Sequence, residues 1–140
     1  MNSIITRTGK TSFSNNILLN EMFDNIEVDL KDVTENYEAA EKLTVGKKFL
    51  SLVIVSPFTS ISKEAREAAN KEYMYKNTVA QAIIVQSLAN RLMANFFVKF
   101  YKPYCPVKLF KNKEDGITWL NEKWDKEAKV PATLERSHHN

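Results

Sequence analysis

The chain has 140 residues and a formal net charge of +3, with 44% hydrophobic and 26% charged residues. That length fits one domain able to bury roughly 68–70% of the surface its unfolded chain exposes, and the composition excludes a disordered or fibrous chain. The charge is spread over both signs with no dominant basic block, so neither nucleic acid nor an anionic membrane is required as a partner.

In chain order, the start "MNSIITRTGK" has no apolar signal core. The stretch "TSFSNNILLNEM" predicts two extended pieces turning at Asn15 and Asn16, because asparagine tolerates the positive φ of a tight hairpin. In "DLKDVTENYEAAEKLTVG", Leu30, Val33, Tyr37, Ala40 and Leu43 recur at helical spacing, Asp29 is placed to cap the first turn, and Gly46 to end the helix. "KFLSLVIVSP" reads as a buried central strand stopped by Pro57. A helix is expected from Ser62 through "SKEAREAANKEYM", with the Ser62 hydroxyl as cap and Glu64 near the positive end of the dipole.

"TVAQAIIVQ" is expected to be a second buried strand. Ser87 would cap a helix, "LANRLMANFFVKFYK", that Pro103 ends. "CPVKLFK" is expected as the last strand, followed by the helix "KEDGITWLNEKWDKEA", capped by Asn112 with Asp115 and packing through Ile117, Leu120 and Trp124. Strands alternating with helices behind a hairpin predict an α/β fold whose mixed sheet has parallel central strands, since parallel neighbours need crossover connections. The expected organisation is a single domain over residues 1–125 and a mobile tail over 126–140. The apolar runs "LVIV" and "AIIV" are far shorter than the roughly 20 residues of a membrane span. A lone cysteine excludes an internal disulfide. The expectation is a cytoplasmic protein without a membrane span.

No catalytic constellation emerges. Cys105 has no positioned base, because His138 and His139 lie in the tail, so a structural cysteine is expected. Two adjacent histidines without further ligands predict no metal site. With Gly9, Gly46 and Gly116 as the three glycines, no phosphate-binding glycine loop can be written. Lys99, Lys102, Lys108, Lys111 and Lys113 divide among several elements and are followed by Glu114 and Asp115, so no nucleic-acid surface is expected.

The helix "LANRLMANFFVKFYK" is the place where a surface is expected. Its apolar residues cover about half the circumference, wider than contact with a sheet requires. Phe96 and Phe100 at the centre are expected in the core. Met93, Phe97 and Tyr101 on the flank either lie under a neighbouring helix or form a patch for a second subunit or an apolar ligand. With Arg91, Lys102 and Pro103 they make the candidate binding surface.

The stretches "SKEAREAA", "AIIVQSLANRLMANFFVKFYKPYCPVKLF" and "KEDGITWL" resemble the SpoIIAA-like superfamily, which includes STAS domains. More narrowly they resemble small bacterial STAS-like proteins with an arginine-then-asparagine helix running into a Lys-Pro turn. The resemblance covers about two thirds of the chain. It implies a mixed sheet with an N-terminal hairpin and about four packed helices, no cofactor, and a role in binding rather than catalysis. The implied partner is a second copy, as a homodimer, or a regulatory protein; the alternative is a carrier or sensor of an apolar small molecule or lipid. Where anti-sigma-factor antagonists carry a phosphorylated serine in an Asp-Ser-Ser-Gly-like loop, this chain reads "TSISKEAR", with Lys63 and Glu64 near that position and Ser62 expected as a cap. Gly116 stands where similar sequences tend to have alanine, at an expected cost of about 1 kcal/mol to its helix.

Overall fold

The computed structural model describes residues 3–87 and 104–129. The hairpin forms where the asparagines place it. Strands β2 (Gly9–Ser14) and β3 (Ile17–Met22) pair antiparallel, with Asn15 and Asn16 both at positive φ, 51° and 68°, the twist that suits a two-residue turn. A short β1 (Ser3–Ile5) adds to the outer side of β2. Gly9 is required here: a Cβ at this position would collide with the backbone carbonyl of Glu21 on β3.

Helix α1 (Leu30–Thr44) follows a two-residue strand, β4 (Glu27–Val28). Asp29 is its N-cap, and the Asp32 carboxylate accepts the Asp29 backbone N–H at 3.0 Å. The helix ends at Val45 and Gly46, both left-handed, with φ 50° and 74°. Its buried face differs from the one the apolar spacing suggests. Leu30 is half exposed, whereas Asp32, Val33, Ala39 and Thr44 are buried. The reason is polar packing: Asn36 accepts from the Thr6 hydroxyl at 2.8 Å and donates to that of Thr8 at 2.9 Å, so the helix is fastened to the β1–β2 turn through threonines.

β5 (Phe49–Val55) lies between β3 and β7 (Thr78–Val85), parallel to both, and β8 (Val107–Phe110) extends the sheet beyond β7, again in parallel. The six-stranded order is β1-β2-β3-β5-β7-β8, while β4 pairs in parallel with β6 (Ser60–Ile61) as a separate two-stranded piece. α2 (Lys63–Ala69) starts on the Ser62 hydroxyl, which accepts from the Ala65 N–H at 3.1 Å. It is shorter than its sequence suggests. At Asn70 the backbone N–H reaches the carbonyls of both Arg66 and Glu67, and residues Glu72–Tyr75 continue as a 3-10 turn.

α3 (Lys113–Lys129) is capped by Asn112, whose side-chain oxygen accepts from the Asp115 N–H at 2.9 Å. Its inner face meets the alternate residues of the central strands. Leu50, Leu52, Ala80, Ala82, Ile84 and Leu120 are fully buried together, with Ile117, Trp119 and Trp124 packed around them. Gly116 belongs to this contact: a Cβ there would sit 2.8 Å from the Ile84 Cδ1, so the glycine lets the helix lie close to β7. A second core, Val28, Val33 and Ala65, joins α1 to α2. The expected helix over residues 88–102 lies outside the described residues, as does the tail beyond Lys129.

Candidate interaction surface

All six residues expected to form the surface, Arg91, Met93, Phe97, Tyr101, Lys102 and Pro103, lie outside the described residues. A different surface lies at the carboxyl ends of β3 and β5. Two chain segments run together there, residues 23–28 after β3 and residues 56–62 after β5. The Ser56 hydroxyl donates to the Phe23 carbonyl at 2.5 Å, and the Thr59 hydroxyl donates to the Ser56 carbonyl at 2.8 Å. Backbone N–H groups of Ser60 and Ser62 donate to the carbonyls of Ile26 and Val28 at 3.0 and 2.9 Å.

This frame holds aromatic side chains out in solvent. Phe58 is 79% exposed and Phe23 43%, and Ile61 and Leu30, on the same laced segments or directly after them, are 37% and 50% exposed. Phe58 has φ 61°, a left-handed backbone that a bulky L-residue adopts only when its surroundings enforce it. The sequence offered a signal for it. Phe23 and Phe58 stand outside every helical or strand period, beside the turn-forming Asp24-Asn25 and Pro57, where an aromatic has no core to enter.

Arg7 secures one side of this surface. Its guanidinium donates to both oxygens of the buried Asp32 carboxylate, at 2.8 and 2.5 Å, and to the Glu27 carbonyl at 2.6 Å. That hydrogen bonding is the main reason the Asp32 carboxyl is held down at about 2.

Burial pushes the Cys105 thiol up to about 12, so at neutral pH it is protonated and a poor nucleophile. Tyr75, whose ring lies 5.9 Å from that of Tyr104, is pushed up to about 12 chiefly by burial as well. Tyr37 is hydrogen-bonded to Glu41, which raises the phenol and lowers the carboxyl, and Lys76 pairs with Glu41 at 3.4 Å. These three border a cavity of about 30 Å³ that also meets Phe49 and Met74, room for a water or two rather than a lipid. Arg66 is half-buried rather than fully solvated, and its Nε is buried without a hydrogen-bond partner among the described residues. Lys108 lies over Phe110 within β8 and Lys123 over Trp119 within α3, at 5.5 and 5.4 Å from the ring centres, while the Phe110 and Trp119 rings, 5.7 Å apart, tie α3 to the β8 edge. Among the described residues no group of three or more His, Cys, Asp or Glu is placed to hold a metal ion, and no helix is long and apolar enough to cross a membrane.

A family model described as a domain of unknown function, DUF7793, matches residues 11–123. No curated protein matches the sequence. A solved structure described as an uncharacterized protein of the DUF3478 family with a SpoIIAA-like fold, from Shewanella loihica PV-4, is similar with a TM-score of 0.56 and 17% identity, over 79% of this chain and 90% of that one. At that identity the likeness shows the fold, and the fold is SpoIIAA-like.

Proposed function

The chain belongs to the DUF7793 family, and we propose that it is a non-enzymatic module for protein–protein interaction in the bacterial cytoplasm, a single domain that runs through α3 to Lys129 rather than closing at residue 125, since Glu127 on that helix pairs with Lys48. The observation that carries this reading is Phe58: an exposed aromatic at φ 61° on a loop fixed by Ser56 and Thr59. Aromatic side chains supply large contact area at low entropic cost, and buried aromatics dominate the energetics of interfaces. A rigid frame that displays one suits binding better than solubility.

The Phe-rich segment with Met93, Phe97 and Tyr101 is a second proposed contact region, suited to a homodimer. Native mass spectrometry of untagged protein purified from its own cells tests the function. A dimer mass or a co-purifying protein is expected; the dimer should be lost on Phe97→Asp and the co-purifying protein on Phe58→Asp, each with the circular dichroism spectrum unchanged. A bare monomer from native cells overturns the reading, and a monomer carrying a reproducible small-molecule adduct replaces it with the carrier alternative.

A further inference from the structure

Phe23 sits inside an acidic stretch of a basic protein, and Phe58 stands on the uncharged segment laced to it. Residues 21–29, "EMFDNIEVD", carry Glu21, Asp24, Glu27 and Asp29, all exposed, and no lysine or arginine, although the whole chain has net charge +3. Arg7 does reach this segment, but its guanidinium is engaged by Asp32 and by the Glu27 carbonyl. On the facing segment Lys63 is followed at once by Glu64, and the other nearby lysines, Lys10 opposite Glu21 on β2 and Lys31 after Asp29, are outnumbered by the acidic groups. The rim around Phe23 and Phe58 is therefore negative, against the sign of the molecule.

Resting on the interaction reading above, we propose that this surface binds a protein segment in which an apolar anchor is flanked by lysine or arginine. A second copy docked on the same patch about a two-fold axis would set the acidic rims against each other, so like charges oppose self-association here. A basic segment instead gains attraction at the rim while its anchor covers Phe58. The two parts of the surface then act on different rates. Rim charges accelerate encounter and make it depend on salt, whereas the packed aromatic slows dissociation.

The test is selection of a random peptide library on the immobilised full chain, followed by binding kinetics of the selected peptides. The expected peptides carry a large apolar residue with lysine or arginine within a few positions. Phe58→Ala should weaken them about tenfold or more, mainly through faster dissociation. The double variant Asp24→Asn, Glu27→Gln should slow association about fivefold and flatten its salt dependence without unfolding the chain. Peptides that need Phe58 but show no basic enrichment overturn this inference and leave the interaction reading standing. Selection of no peptide, or of peptides indifferent to Phe58→Ala, overturns the inference and counts against that patch as the interaction site.

Discussion

Single residues in this chain hold backbone conformations that their side chains disfavour. Val45 and Phe58 both lie in the left-handed region with their side chains largely in water, so neither gains core contacts in return. Val45→Asn and Phe58→Asn should each raise stability, by about 1 kcal/mol, in urea denaturation. Phe58→Asn should at the same time weaken partner binding, while Val45→Asn should not, because Val45 caps a helix away from the aromatic surface. Asp32 gives a pH dependence of definite sign. Its folded carboxyl is held at about 2 against an ordinary 3.8, so its contribution is complete above about pH 4 and is lost as pH falls through 2. Asp32→Asn should cost roughly 1–2 kcal/mol at neutral pH through the weakened Arg7 and cap bonds. Its denaturation midpoint should also fall less steeply than that of the natural chain between about pH 4 and 2. Equal slopes would show that another carboxylate governs the acid limb.

At the scale of elements, sequence pattern was reliable where apolar residues did the packing. The "FLSLVIV" and "TVAQAIIV" strands, the Asn15-Asn16 turn, and the Ser62 and Asn112 caps all form as their residues suggest. The α1 face was less legible because its buried positions include Asp32, Asn36 turned toward Thr6 and Thr8, and Thr44, which no hydrophobic periodicity marks. β1, β4 and β6 were missed for another reason: two or three residues carry too little pattern to see, and only tertiary pairing makes them strands. Two substitutions probe how tightly elements meet. Gly9→Ala should destabilise by about 1–3 kcal/mol, since β2 and β3 must separate to admit the methyl. Leu120→Ala, at the centre of the α3 contact, should cost about 2–5 kcal/mol and lower the thermal midpoint accordingly.

For the whole molecule, a mixed sheet with parallel central strands was legible because β-α alternation after a hairpin leaves few other arrangements. The surface was not legible in the same way. Core positions announce themselves by spacing, whereas Phe23 and Phe58 acquire meaning only when residues 23–28 and 56–62 are brought side by side.

The strand order β1-β2-β3-β5-β7-β8 follows the order of synthesis from one edge to the other. Each strand pairs with one already made, and none must be threaded between two earlier neighbours. A chain emerging from the ribosome at roughly 5–20 residues per second can therefore begin with the hairpin, whose pairing is local and fast. It can then extend the sheet outward by accretion, leaving only one growing edge open at any moment during translation.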